Sequence, residues 1–281
     1  MNGLCKETYS EKTINLSMFV REITCKSILS PCRIPGFTYL INPYHGCALG
    51  CIYCYARGFT SHSEKWGEFV DVKINAPYIL RKEIKGKKKG RIMFSSVTDP
   101  YQPLEKKYEI TRKILEILAK HEFPVSLLTK CSLIERDPDL ITGMKDSEFG
   151  STITCLEADR KFFEPRASPV TERLIILKKM SEAGIKTFVF LGPFLPGISD
   201  KNLEELFEKI AEANADYVLI GRLRIKCGNW FEIKPVLEKY YPELLNRWID
   251  IFFKKKEKYY ENIKTKIMKT AGEKNVKTEF V

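Results

Sequence analysis

At 281 residues the chain suits one large α/β domain with appendages or at most two small domains, and its 44% of hydrophobic residues can fill a sizeable core. It has no run of about eighteen apolar residues, which excludes a membrane-spanning helix. Lys and Arg number 47 against 36 Asp and Glu; the resulting +11 charge favours an acidic partner such as nucleic acid, and equally keeps a protein in solution.

In chain order, residues 1–15 are polar and charged throughout and lack the apolar segment of a secretory signal. Residues 37–42 read as a short strand running into a loop over 43–55. A helix is expected over 76–84 and a strand over 91–96, ended by the turn-rich run Asp99-Pro100-Tyr101-Gln102-Pro103. From 108 to 121, Ile110, Ile114, Ile117 and Leu118 recur at helical spacing. A β-rich run over 125–129 precedes a polar turn and a short helix near 138–145. The next strand is placed at 151–155 and the next helix at 170–183, with Gly184 as its C-terminal cap before a strand over 186–191. Asp200 is read as the N-cap of a helix reaching Ala213, and 217–220 closes the series. From Glu238 onward the chain reads as mostly helical, with Trp248, Ile251 and Phe252 on one face.

Repeated alternation of strand and helix implies a parallel sheet with right-handed crossovers. An open or incomplete barrel and a doubly wound flat sheet both fit it, and in both ligands bind beyond the C-terminal strand ends. The Cys47 loop, the Asp99 turn, Lys130, the 157–159 segment and the 193–197 loop all fall at such ends.

Nine cysteines, an odd number without an export signal, predict a reducing cytoplasmic setting in which clustered cysteines bind metal or do chemistry. Cys47, Cys51 and Cys54 are spaced C-x3-C-x2-C, three thiolates for three corners of a cubane cluster. No further cysteine occurs until Cys131, so one iron would stay open to a substrate or cofactor. Gly46 and Gly50 would let the backbone approach the cluster. A structural zinc would instead need His45 or His62 to complete the site. Cys131, Cys155 and Cys227 read as small buried residues.

The run Asn42-Pro43-Tyr44-His45-Gly46-Cys47-Ala48-Leu49-Gly50-Cys51-Ile52-Tyr53-Cys54-Tyr55-Ala56-Arg57 resembles the signature of radical S-adenosylmethionine (SAM) proteins, and within them the spore photoproduct lyase-related, DNA repair photolyase-like group. The resemblance continues through Thr98 to Glu105, Thr129-Lys130, Glu164-Pro165-Arg166 and Pro193 to Asp200. It implies a partial (β/α)6 barrel over residues 37–221, flanked by an N-terminal extension (1–36) and a basic, helical C-terminal extension (222–281). It also implies a [4Fe–4S] cluster on Cys47, Cys51 and Cys54, SAM bound at the open iron, and a ferredoxin- or flavodoxin-like electron donor. Reductive cleavage of SAM would then give a 5′-deoxyadenosyl radical that abstracts hydrogen from substrate.

The same resemblance distributes roles around the rim. Tyr53 would pack on the adenine and Tyr55 would stand in the catalytic site. Ser96, Thr98 and Asp99 replace the Gly-Gly-Glu-like motif and could accept hydrogen bonds from the SAM ammonium, although Asp99 also suits an Asp-Pro turn. Lys130 would pair with the methionyl carboxylate. Glu157, Asp159 and Arg166 could contact ribose or carboxylate, or form a surface ion pair, and the loop at Pro193 would bind adenine. Ser96 stands where the spore lyase group carries a hydrogen-donor cysteine, and a serine O–H bond is too strong for that task.

The lysine runs at 87–89 and 254–256, together with Trp230, Phe231, Trp248, Tyr259 and Tyr260, suit nucleic acid, or equally a solvated face over a helix packed against the barrel. The readings are therefore a radical SAM enzyme acting on DNA or RNA, one acting on a protein, peptide or small metabolite, and a non-catalytic iron–sulfur or zinc module that binds nucleic acid.

Overall fold

The computed structural model describes residues 18–60, 62, 65–255 and 258–281. The reading of residues 1–15 and the role given to Lys256 lie outside them. The chain enters through β1 (Phe19–Ile23), β2 (Ser30–Pro31) and β3 (Tyr39–Ile41), and β4 (Tyr44–Gly46) leads into the cysteine loop, which β5 (Phe69–Lys73) follows. Then come α1 (Ala76–Glu83), β6 (Ile92–Phe94), α2 (Glu105–Tyr108), α3 (Ile110–Lys120), β7 (Val125–Thr129), α4 (Pro138–Thr142) and β8 (Glu148–Thr152). They continue with α5 (Glu157–Phe163), α6 (Val170–Glu182), β9 (Lys186–Phe194), α7 (Leu203–Glu212) and β10 (Tyr217–Arg222). α8 (Trp230–Tyr240), α9 (Pro242–Phe252), α10 (Tyr259–Glu273) and β11 (Thr278–Phe280) complete the chain. Among the described residues no helix is long and apolar enough to cross a membrane.

β3, β6, β7, β8, β9 and β10 are parallel neighbours in that order. Because the strand order never reverses, every right-handed crossover puts its helix on the same face, and the switch point of a doubly wound sheet cannot arise. Antiparallel β2 lies outside β3 and parallel β11 outside β10, so among the described residues the two edges do not join. The result is a partial (β/α)6 barrel. Residues 222–281 thus return a strand to the core sheet, which helical periodicity alone does not foresee.

The helices seal the outside with apolar stripes, such as Ile110, Ile114, Leu115, Ile117 and Leu118 of α3. At the N-terminal strand ends Glu148 fills the interior; it accepts from Ser126 at 2.8 Å and Tyr217 at 2.8 Å, and pairs with Arg91 at 2.6 Å. Gly150 of β8 leaves room for the Phe188 ring, which any Cβ there would strike. The fourth core strand spans 148–152 instead of 151–155: Glu148 is paired with Lys186 and Ser126 already at its start, and Ile153 N–H makes the last bond to β9, to the Phe190 carbonyl at 3.0 Å. Asp200 does not cap α7: its Oδ1 accepts the Gly197 N–H at 2.6 Å, and Asn202 takes the N-cap position. Tight closure of the Gly197 turn outcompetes a helix cap two residues further on.

A second sheet, β1-β5-β4, carries the cysteine loop. Its clamp is Asp71, 3% exposed at the side chain, which pairs with Arg21 at 2.7 Å, His62 at 2.8 Å and His45 at 3.1 Å. Those partners hold the Asp71 carboxyl well below its ordinary range despite burial. In the C-terminal segment, Trp248 is fully buried and donates from Nε1 to the Pro196 carbonyl at 2.8 Å, while Tyr260 Oη donates to the Phe194 carbonyl at 2.9 Å. These aromatics pack against the barrel.

Candidate active site

The cysteine loop leaves β4 at Gly46 and ends in the 3-10 helix Tyr55–Phe59, with Gly46 at φ +81° and Gly50 at φ +59°. A three-bond chain from the turn after β6 fixes it. Ala48 N–H donates to Gln102 Oε1 at 2.8 Å, Gln102 Nε2 to Thr98 Oγ1 at 3.1 Å, and Thr98 Oγ1 to the Gly46 carbonyl at 2.6 Å. Arg57 closes the far end on the carbonyls of Cys54, at 3.1 Å, and Ile52, at 2.9 Å. Thr98 therefore holds the loop.

Cys47 and Cys51 are buried and Cys54 half-buried. Burial pushes all three thiols up, Cys51 to about 12 against the opposing charge of Lys130. Metal binding has to displace those protons. Elsewhere among the described residues, His45, His62 and Asp71 bring three metal-ligating atoms within 4.8 Å of one another. The His45 trio is itself engaged by the Arg21 guanidinium on Asp71.

Arg166 reaches the cysteine loop from behind. Its guanidinium lies against Gly50 and Gly67, and a Cβ on either glycine would run into it. It packs against the loop backbone. At Gly67, with φ +96°, an added Cβ would also sit 2.7 Å from the Gly50 Cα. Backbone cannot yield as a side chain can, so Gly67→Ala is expected to cost roughly 1–3 kcal/mol and displace the loop. Iron retained after anaerobic reconstitution should fall well below wild type; unchanged iron would reduce Gly67 to an ordinary turn glycine.

Asp99 is 6% exposed and engaged on both oxygens: Oδ1 accepts from Tyr101 N–H at 2.9 Å and Thr129 Oγ1 at 2.6 Å, and Oδ2 from Lys130 N–H at 2.9 Å. It ties the β6 turn to the end of β7. That bond places Lys130, whose Nζ stands 6.0 Å from the Tyr53 ring centroid and has no hydrogen-bond or ion-pair partner among the described residues. Burial lowers the Lys130 pKa, but Cys51, Glu164 and Asp99 outweigh it and raise it to about 12. Lys130 thus adds a cation beside the Tyr53 ring, with its backbone pinned by Asp99.

Tyr53 is 6% exposed; its hydroxyl bonds Glu164, and Thr154 lies 3.3 Å away. Thr154 Oγ1 donates to the same Glu164 oxygen at 2.7 Å, and Glu164 pairs with Arg173 at 2.7 Å, both side chains almost wholly buried. Glu157 is occupied in the helical layer, accepting from Arg160 at 2.8 Å and from Val170 N–H at 2.6 Å. Asp159 accepts from Tyr241 at 2.6 Å. Pro193 lies half-buried within β9 after a cis peptide bond.

Tyr55 and Ser96 are brought together, the Tyr55 hydroxyl donating to the Ser96 carbonyl at 2.6 Å. Tyr55 is 39% exposed, and Lys226 Nζ lies 4.7 Å from its ring centroid. Burial, then the neighbouring Cys54 charge, raises its pKa. Next to Ser96, Ser95 adopts φ +62° and its buried Oγ has no partner among the described residues. Cys131 and Cys155 are buried, but Cys227 is exposed on the turn before α8 with φ +56°, its side chain packed on Gly58. An exposed turn leaves that thiol no core to enter.

Sequence reasoning missed Gln102, Thr154, Glu164, Arg173 and Asn229 as parts of the site. Asn229 Nδ2 donates to the Tyr53 carbonyl at 2.9 Å from far along the chain. One signal was available: Arg173 sits at a core position of α6, between Val170 and Leu177.

The profile of the Radical SAM superfamily matches residues 41–210. Over 234 residues the chain is 36% identical to the uncharacterized protein MJ0683 of Methanocaldococcus jannaschii, covering 82% of this chain and 86% of that one. It is 25% identical over 221 residues to the radical SAM Nalpha-GlyT isomerase of Pseudomonas phage M6, covering 76% and 45%. Spore photoproduct lyase complexed with dinucleoside spore photoproduct shares the fold at a TM-score of 0.63 and 16% identity, over 83% of this chain and 79% of that one.

Proposed function

The chain belongs to the radical SAM superfamily of enzymes, and from that premise we propose that it cleaves SAM reductively at a [4Fe–4S] cluster to start radical chemistry on a nucleic acid or nucleotide-like substrate. The observation that carries the cluster is that Cys47, Cys51 and Cys54 stand buried or half-buried on one clamped loop, three thiols for three corners of a cubane. When bound, the cluster and SAM supply the electron and the S–C5′ bond whose cleavage yields methionine and a 5′-deoxyadenosyl radical.

The protein's own residues bind and orient. Lys130, a cation without a partner of its own, takes the methionyl carboxylate in a charge-assisted bond. Ser95 Oγ and the Ser96 side chain offer polar partners for the ammonium, a task left to them because Thr98 and Asp99 are engaged in the fold. Tyr53 is held by Glu164 and Thr154 and lines the floor. Tyr55 stands at the mouth and positions substrate against Ser96. The +11 charge supports the nucleic-acid part of the reading. So does a shared fold with a lyase whose structure holds a dinucleoside photoproduct.

Release of 5′-deoxyadenosine from SAM by anaerobically reconstituted protein, with flavodoxin as reductant, tests the reading. Turnover should rise when the accepted substrate is present, so DNA and RNA oligonucleotides are compared with peptide and metabolite pools. Stimulation by peptides or metabolites alone would overturn the nucleic-acid assignment. In the same preparation Lys130→Ala should keep its iron and bind SAM roughly ten- to hundredfold more weakly, the loss of a charged partner worth ~1.5–3 kcal/mol. Unchanged SAM affinity would remove Lys130 from the site.

A further inference from the structure

From the end of β10 the chain alternates in burial: Arg222, Arg224 and Lys226 are exposed, Leu223 is buried and Ile225 lies between the last two cations, packed on the core. The alternation sets these cations on the solvent side of the segment. The backbone beneath them is fixed. Leu223 N–H donates to Tyr260 Oη at 3.0 Å, Asn229 Nδ2 to the Arg224 carbonyl at 3.0 Å, and Lys226 N–H to Asn229 Oδ1 at 2.9 Å.

Among the described residues none of the three cations pairs with a carboxylate. Arg222 lies 5.6 Å over the Tyr260 ring and Lys226 4.7 Å over Tyr55. By contrast Lys254 is paired with Asp250 at 3.0 Å, so the lysine run at 254–256 offers a charge already partly neutralised. One end of the row meets Tyr55, the residue bonded to Ser96. Past Gly228 stands Phe231, 80% exposed, on a cavity of about 350 Å³ lined with Trp230, Lys234, Ile249 and Phe253.

We propose that residues 222–231 form a track for single-stranded nucleic acid, with Arg222, Arg224 and Lys226 taking successive phosphates and Phe231 stacking on an unpaired base. This rests on the nucleic-acid reading of the same site. A row of unpaired cations on a pinned backbone matches a polyanion with one charge per nucleotide, and an aromatic face beside it fits any base. Stacking on Phe231 needs a base whose face is free, which a duplex does not present. A reactive centre at the strand ends of a barrel makes the same demand, since a target base must leave its stack to reach it.

The test is fluorescence anisotropy with reconstituted full-length protein, a labelled oligothymidylate and the same strand annealed to its complement, over a salt titration. The single strand should bind more tightly than the duplex. R222Q/R224Q/K226Q should flatten the slope of log K against log salt by about 2, at ~0.7 for each phosphate no longer neutralised. F231A should weaken binding about tenfold and leave the slope unchanged. Thermal melts check folding, and if Arg222 proves needed by Tyr260, R224Q/K226Q should still flatten the slope by about 1.4. Wild-type affinity and slope in these variants would overturn the track and leave the nucleic-acid reading standing. A wild-type chain that binds neither strand nor duplex at low salt would overturn that reading and the track with it.

Discussion

Anaerobically reconstituted protein is expected to carry about four irons and four sulfides per chain, and replacing Cys47, Cys51 and Cys54 together with Ala should abolish both the cluster absorbance and SAM cleavage. The effect is all or none because the three thiols share one loop and are removed together. His45 and His62 are committed to Asp71 at 3.1 and 2.8 Å. The fold should outlast the loss. The loop is fixed by Gln102, Thr98, Arg57 and Arg166, so the triple variant should keep its far-UV circular dichroism. Stoichiometric zinc without labile sulfide in the wild type would sink the assignment.

Arg173→Met is the second large expectation. Glu164 and Arg173 are 0% and 1% exposed at the side chain and 2.7 Å apart. Removing one partner strands a buried charge, which costs ~3–5 kcal/mol, whereas replacing both with apolar or neutral groups is far milder. For a chain of this size that corresponds to a melting temperature lowered by about 10 °C. E164Q/R173M should recover a large part of the loss.

The pH dependence follows from the sign. Burial pushes the Glu164 carboxyl up, but Arg173, Lys130 and the bonds from Tyr53 and Thr154 outweigh it and hold it below the usual glutamate range. A lowered folded pKa stabilises above the unfolded value, and that contribution fades as pH falls through the folded one. Without Arg173 the carboxyl loses its main counter-charge, so the gap between variant and wild type should narrow on acidification. A single variant as stable as wild type would mean that the pair is dispensable.

What the sequence determined by itself is what short-range spacing encodes. The C-x3-C-x2-C run put three thiols on one loop between glycines, and apolar runs alternating with amphipathic stretches required a parallel sheet with its ligand rim at the C-terminal strand ends. Lys130, Tyr55 and Ser96 could be placed there because each follows directly on a strand or on the cysteine motif. Choosing the incomplete barrel over the flat sheet took the tertiary structure, because both share the same local pattern and differ only in which strands are neighbours. The β1-β5-β4 sheet escaped notice since its clamp, Asp71, gathers Arg21, His45 and His62 from separate segments. That Asp99 ties its turn to Thr129 and Lys130, some thirty residues on, shows only in the tertiary structure. Arg166, placed at the rim by its sequence, braces the loop from behind because Gly50 and Gly67 leave its guanidinium the room. A buried polar or charged group is tolerated only where its partner lies, and for Glu164, Arg173 and Asn229 that partner is fixed by the tertiary fold.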